Sequence, residues 1–400
     1  MKALVRRTSA PDMGTSDPHA GRITRVEIDL DAIAANTKAL AGHVHPARLM
    51  TVVKGNAYGH GAIAVARTAL RHGAAWLGVY TVGEGAELRT AGIEAPILVF
   101  GPYEPDEAQW LLDLKLTPTV SSIEQASLLA RLAQGTGLPF HLEVDSGMTR
   151  AGVPADGSLH LMQKIAEMPG LQPEGIYTHF ARAGETDSSH ALHQLRVFLE
   201  TCTLLEAHGF SFRLKHAANS AAALALPAAR LDLVRCGIAT YGCSPSDRIE
   251  PPVTLQPALS WRSAITRIAR VPPGTGVGYG HQHVCPEDSV IALVPVGYGD
   301  GLSWNLGDAH WEVGVHGRAA PVVGRVSMDQ ITVDLTGIPD AEVGDAVTII
   351  GVDQAFRQTA SDLASKTGTI NYEVLTRILP RVPRVYLGAV ARTDSIREAP

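Results

Sequence analysis

Residues 52–61 read "VVKGNAYGHG": two β-branched residues, a lysine, then Gly, Asn, Tyr and His closing on Gly61. An apolar strand stops there and a flexible, polar turn begins, which puts Lys54 at the carboxyl end of a strand. Working outward, the same alternation of short β-branched runs and helical patterns continues from about residue 30 to 240. Candidate strands lie at 50–54, 76–80, 96–100, 117–120, 139–144, 174–178, 212–216 and 231–235. Between them, 121–134 reads as a helix opened by a Ser121/Glu124 capping box. Residues 188–207 place Leu192, Leu195, Leu199, Cys202 and Leu205 on one stripe that ends at Gly209. Eight strands alternating with amphipathic helices imply parallel pairing, and predict an α/β chain with a (β/α)8 TIM-like barrel.

Near residue 244 the texture changes. "SPSDRIEPPV" is a punctuated joint, and shorter strand-like runs such as "SVIALVPVGYG" and "DAVTIIG" follow. The expected order is therefore a disordered arm at 1–21, a barrel at 22–250, a mostly β C-terminal domain at 251–390 and a tail at 391–400. The arm is basic but has no apolar stretch of signal-peptide length; Arg6, Arg7 and Ser9 would suit a transit peptide, whereas Asp12 and Asp17 would not. "GTGVGYG" has its glycines in the wrong register for a dinucleotide loop.

Composition narrows the partners. Of 400 residues, 45% are hydrophobic and 18% charged, enough for a packed core. A formal charge of −6 without a basic block argues against nucleic acid or an anionic membrane and favours a small molecule. No run reaches the ~18 apolar residues of a membrane span. Cys202, Cys236, Cys243 and Cys285 form neither a C-x-x-C pair nor a zinc pattern, so no metal is expected and a reducing cytosol fits.

In barrels of this kind the chemistry sits on loops at the carboxyl ends of the strands. Those positions hold Lys54 and Tyr58; Glu143, Asp145 and Arg150; His179; His216, Asn219 and Ser220; and Arg235. A strand-end lysine is ordinarily a solvated surface group. Burial and nearby cations such as Arg150 and Arg235 would turn it into a nucleophile by lowering its pKa. In "HAANSAAAL" Asn219 or Ser220 can cap a helix start suited to phosphate, and Gly237 permits close backbone approach to an anion. An activatable lysine beside phosphate-type loops points to pyridoxal phosphate.

The motifs "VVKGNAYGHG", "DSGMTRAG", "THFARA", "HAANSAA", "VRCGIATYG", "VPVGYGDG", "GRVSMDQ" and "NYEVLTRILPRVPRVY" resemble, in order, those of the pyridoxal-phosphate alanine racemases over about residues 22–390. The resemblance implies interconversion of L- and D-alanine with pyridoxal 5'-phosphate as cofactor. It makes Lys54 the residue of the internal aldimine, and Tyr58, Ser220 and the backbone of Gly237 and Ile238 the phosphate cradle, with Asn219 in the same pocket. Arg235 corresponds to the arginine facing the pyridine nitrogen, and His179 to the histidine linking it to a catalytic tyrosine. Tyr279 corresponds to that tyrosine, which in the family reaches the barrel mouth of the other subunit, so a homodimer with composite sites is implied. Arg150 and the backbone of Met328 correspond to holders of the substrate carboxylate and cofactor oxygen. Asp329 lies close by, and Tyr298 narrows the access route.

Inverting a Cα centre requires a base on each side of a planar carbon, and Lys54 and Tyr279 would be those bases. A phenol is a poor base at neutral pH, so the His179–Arg235 link would supply positive electrostatics. A guanidinium does not give up its proton, so the ring it faces should stay unprotonated, which disfavours transamination. Two positions depart from the family pattern. Glu143 stands where many relatives carry a lysine, often carbamylated, and is expected to direct negative charge toward Arg150 without bicarbonate; a strand residue facing elsewhere is the alternative. Pro380 replaces a phosphate-contacting tyrosine of some relatives. Competing readings are a serine or broad-specificity racemase, a non-catalytic pyridoxal-phosphate carrier, and a cofactor-free Schiff-base aldolase.

Overall fold

The computed structural model describes residues 21–135 and 137–391, so the expected arm and tail fall almost wholly outside the described residues. Two compact units divide the chain: one is Asp29–Ala258 with the stretch from Leu387, the other Leu259–Tyr386 with the stretch up to Ile28. Both differ from the expected boundaries of 22–250 and 251–390. Residues 22–28 leave the barrel because Arg25–Asp29 is a strand antiparallel to Leu259–Ala264, with Val26 opposite Trp261. Residues 251–258 stay with the barrel because the amide of Asn36 brackets Gln256, accepting from its N–H and donating to its C=O, each at 2.8 Å. Gly242 has no Cβ because one would lie 1.8 Å from that same carbonyl.

Eight parallel strands form the barrel path: β1 Arg48–Val52, β2 Ala74–Val79, β3 Ile97–Val99, β4 Thr117–Val120, β5 Leu138–Asp145, β6 Leu171–Tyr177, β7 Leu214–His216 and β8 Leu233–Cys236, with the two-residue strand Val153–Pro154 pairing beside β5. Each pairs with its successor up to β7, and β8 returns to pair with β1. The seam between β7 and β8 lacks a regular ladder. It is bridged instead by backbone bonds from Asp232 to Lys215 (3.1 Å) and from Arg235 to Ala218 (2.9 Å), so the ring is nearly closed. Strands buried on both faces read as continuous apolar runs, which is why β1 appears as "RLMTV".

The interior packs Met50, Trp76, Leu98, Tyr177, Leu214 and Leu233. Two glycines make room there: a Cβ on Gly78 would meet the Phe100 ring at 2.7 Å, and one on Gly175 the His141 ring at 2.6 Å. Two helix details differ from expectation. The helix Ile123–Ala133 is capped by Ser122, which accepts from the Gln125 N–H, rather than by a Ser121/Glu124 box, because Ser122 is the residue in the extended conformation. On Ser189–Ala207 the buried stripe is Ala191, Leu195, Phe198, Cys202 and Leu205, leaving Leu192 and Leu199 exposed. Phe198, one position before Leu199, keeps the 3.6-residue period.

The second unit is built on antiparallel strands in the order 267–271, 289–294, 331–334, 318–323, 312–315, 346–353, 259–264, 25–29 and 384–387. Its core contains Trp261, Trp311 and a cluster of Val277, Cys285, Ile291 and Val323. Buried Asp300 accepts from both Arg22 and Arg381 and from the Gly297 N–H, so "VPVGYGDG" is tied to "RVPRV" by a paired charge.

Candidate active site

Lys54 opens the most strained turn of the barrel. Gly55, Asn56, Ala57 and Tyr58 all take left-handed conformations, with φ of 61°, 52°, 54° and 52°. Each non-glycine residue held so costs roughly 1–2 kcal/mol, and only the first of the four is glycine. Hydrogen bonds hold the turn, most of them from residues distant in the chain. Glu84 accepts from the N–H groups of Gly55 (2.6 Å), Tyr80 and Thr81; Asn56 Oδ1 accepts from Ala62; the Tyr241 hydroxyl donates to the Val52 carbonyl. The turn expected to be flexible is thus locked, and the lysine is planted rather than free. Its ammonium lies 5.7 Å from the Tyr80 ring centre. Burial, then the charge of Arg150, pushes the Lys54 pKa down against an opposing pull from Glu84, so the uncharged amine is favoured more than in a solvated lysine.

Beyond the turn, Tyr58 is buried, and burial pushes its hydroxyl up to about 12, keeping it a neutral donor. A Cβ on Gly237 would stand 2.5 Å from that hydroxyl, so the hydroxyl can approach this backbone only because residue 237 is glycine. Ser220 Oγ accepts the Gly237 N–H at 3.0 Å and the Ala239 N–H at 3.5 Å. The helix-cap role belongs to Asn219, whose side chain accepts from Ala222. Ser220 is left facing the Gly237–Ile238 backbone.

Arg235, inward on β8, has both terminal nitrogens engaged. Nη1 donates to the ring Nδ1 (3.0 Å) and carbonyl of His216; Nη2 donates to the carbonyls of Thr178 (2.7 Å) and Ala217 and to His179 Nδ1 (3.3 Å). Its guanidinium lies 5.1 Å from the Tyr177 ring centre. Burial pulls its pKa down to about 10, which still leaves a cation at neutral pH. Burial and that cation pull His179 to about 3, so this imidazole is neutral. Arginine has no lone pair to offer, so His179 carries its proton on Nε2.

Glu143, on β5 opposite Tyr177, is buried and faces the same cations. Burial raises its pKa, while Arg235, a hydrogen bond with Tyr177 and Arg150 oppose the rise. It is therefore not a strand residue facing elsewhere. Arg150 itself is exposed at the end of "DSGMTR", a loop pinned by Asp145, which accepts from Gly147 and Met148.

The remaining expected residues lie in the β unit. Tyr279 sits on a one-turn 3-10 segment between Gly278 and Gly280, both left-handed, and is 72% exposed. This explains the glycine spacing of "GTGVGYG". Gly324 of "GRVSMDQ" passes beneath it: a Cβ there would lie 2.9 Å from the Val277 carbonyl. Met328 and Tyr298 are gathered by a bond from the Gly299 N–H to the Met328 carbonyl, and Asp329 pairs with Arg381 at 2.9 Å. Arg381 follows Pro380 and also binds Asp300, so this stretch anchors the loop through a guanidinium.

Sequence reasoning missed Glu84, Tyr177, His141 and Arg381. Glu84 was detectable as the partner of Thr81 in a T-x-x-E capping box, and His141 as the residue two before Glu143 on the same strand face. Among the described residues no His/Cys/Asp/Glu group could hold a metal ion, and no helix is long and apolar enough to cross a membrane.

Comparison with known proteins gives two family models along the chain. Residues 28–245 match the family model for the alanine racemase N-terminal domain, and 258–386 that for the C-terminal domain. An alanine racemase of Desulforamulus reducens is 42% identical over 90% of this chain and 98% of its own length. One of Desulfosudis oleivorans is 40% identical over 90% and 95%. The structure is similar to an alanine racemase of Bacillus anthracis with bound L-Ala-P, with a TM-score of 0.88 at 37% identity covering 92% of this chain and 96% of that one. It is also similar to an alanine racemase of Streptomyces lavendulae, with a TM-score of 0.87 at 37% identity and coverage of 93% and 99%.

Proposed function

The chain belongs to the alanine racemase family, and from that premise we propose how its residues interconvert L- and D-alanine. The observation that carries the reading is the planted, pKa-depressed amine of Lys54 beside Arg235 and His179 in one barrel mouth. A pyridoxal-type group fits this mouth on the chemistry of its lining: the Tyr58 hydroxyl, drawn against the Gly237 backbone where a Cβ would strike it, and the Ser220 hydroxyl beside them are suited to a phosphate, next to the turn that carries Lys54. Lys54 would hold the group, with Tyr58, Ser220, Gly237 and Ile238 at its phosphate, Asn219 framing them, and Arg235 at its ring nitrogen. Bound there, pyridoxal 5'-phosphate would supply the electron-withdrawing ring that acidifies the Cα–H of an amino acid.

The chain's own residues then divide the work. Arg150, with the backbone of the partner's Met328, orients the substrate carboxylate. Lys54 takes or returns a proton on one face of Cα, and Tyr279 of the partner subunit does so on the other. His179 directs its Nε2–H toward that phenol oxygen, a neutral donor that stabilises the phenolate without competing for its proton. The partner's Asp329 and Tyr298 would border the same opening, which makes the working unit a homodimer. The cytosolic setting suggested by the cysteine pattern belongs to the same proposal. Borohydride reduction of the coloured protein followed by peptide mapping should find the adduct on Lys54; an adduct elsewhere, or colourless protein, would overturn the assignment. Rates with L-alanine and L-serine separate this activity from a serine or broad-specificity racemase.

Two further results are expected. Gly237→Ala should weaken cofactor retention: a forced contact of this kind costs about 1–3 kcal/mol, roughly five- to hundredfold in Kd, read by absorbance titration. An unchanged Kd would show that this close approach is not part of the cradle. Because Glu143 carries its own carboxylate, added bicarbonate should leave the rate unaltered. Glu143→Gln should lower kcat/KM by roughly severalfold, the size of a partly screened charge contact. Activity that needs bicarbonate would contradict this role.

A further inference from the structure

Behind Arg235 the barrel interior holds two fully buried histidines with no part in the chemistry above. His216, on β7, takes Arg235 Nη1 on its Nδ1 at 3.0 Å, and its Nε2 lies 2.9 Å from His141 Nδ1. His141 Nε2 has no hydrogen-bond partner at normal distance; the acceptor facing it is Glu174 Oε2 at 3.6 Å, an ion–dipole contact. The other oxygen of Glu174 pairs with Arg213 toward solvent.

Donor chemistry fixes the direction of this chain. A guanidinium only donates, so His216 Nδ1 must present a lone pair and its proton lies on Nε2. That proton is donated to His141 Nδ1, which places the proton of His141 on Nε2, facing Glu174. The reverse polarity would set two N–H groups against each other 3.0 Å apart. Both rings are held neutral, His141 by burial despite Glu174, and His216 by burial and then Arg235. The surroundings are shaped for the pair: Tyr177 stacks on His216 at 4.9 Å, Trp76 lies 5.2 Å from His141, and Gly175 lacks the Cβ that would strike His141.

We infer that Glu174, His141 and His216 are positioning residues: the carboxylate orients His141, His141 sets the tautomer of His216, and the resulting lone pair holds the guanidinium of Arg235 in place. The inference rests on the proposed reading of Arg235 as the group facing the cofactor ring nitrogen. No proton moves along the relay; it transmits orientation.

Neutron diffraction from the perdeuterated holoenzyme tests it directly. Deuterium is expected on Nε2 of both His216 and His141 and on neither Nδ1; deuterium on either Nδ1 would overturn the relay. Deuterium on the ring nitrogen of the cofactor in the same map would sink the reading of Arg235 instead, with the relay still judged on the two imidazoles. In solution, Glu174→Leu should lower kcat roughly ten- to hundredfold, the usual effect of losing a carboxylate that orients a histidine. KM should change less, and the share of turnovers lost to transamination should rise. Glu174→Gln keeps an acceptor and should restore both. A Glu174→Leu enzyme with unaltered kcat and product partition would refute the inference.

Discussion

Lys54→Ala protein is expected to lose racemisation by at least about a thousandfold, the scale of removing a positioned base and covalent anchor together. Its fold should survive, because the turn is held through Glu84, Asn56 and Tyr241 rather than through the lysine side chain. A near-native melting temperature with colourless protein would show both. The same site sets a pH expectation. Burial and Arg150 lower the Lys54 pKa below 10.5, so its amine is deprotonated at lower pH than that of a solvated lysine. Cofactor uptake by the stripped protein should therefore reach its half-maximal rate at a pH below that of a lysine model amine. Half-maximal uptake at the same pH as the model amine would mean that the barrel mouth does not activate the lysine.

The second large effect is expected at Tyr279. Tyr279→Phe keeps the ring and removes the acid–base oxygen, so racemisation should fall by roughly 10²–10⁴. Because Tyr279 is 72% exposed on its own chain, stability should hardly change. The two faces of Cα should now behave differently. In heavy water, one enantiomer of alanine should still exchange its Cα hydrogen through Lys54 while the other exchanges slowly, which proton NMR reads directly. Equal loss for both enantiomers would assign Tyr279 to binding rather than to proton transfer.

Much of this was legible because barrels place chemistry at strand ends: Lys54, Arg235 and His179 were named from position and charge, and each stands in the mouth. The eight strands were legible from β-branched runs, with ends displaced by at most three residues. The strand Arg25–Asp29 was not, since its partner at 259–264 is more than two hundred residues away and no local period encodes that pairing. The left-handed turn at 55–58 was also hidden. Asn56, Ala57 and Tyr58 carry no glycine signal, and their conformation is enforced by tertiary bonds. The histidine relay escaped because His141 and His216 meet across the interior, where strand order rather than spacing decides contact. Glu143 could be compared with the family's lysine, but its burial against Tyr177 required the folded barrel.

Subunit complementation tests most directly whether the two bases come from different chains. Lys54→Ala and Tyr279→Phe homodimers should each be nearly inactive. Dissociated, mixed in equal amounts and reassociated, they form heterodimers in which one of the two sites regains both groups. Statistical pairing then restores about one quarter of wild-type activity, because about half the dimers are mixed and half of their sites are whole. Recovery near that level is the expected result. A mixture as inactive as its parents, although mass spectrometry shows heterodimers, would mean that both bases belong to one chain.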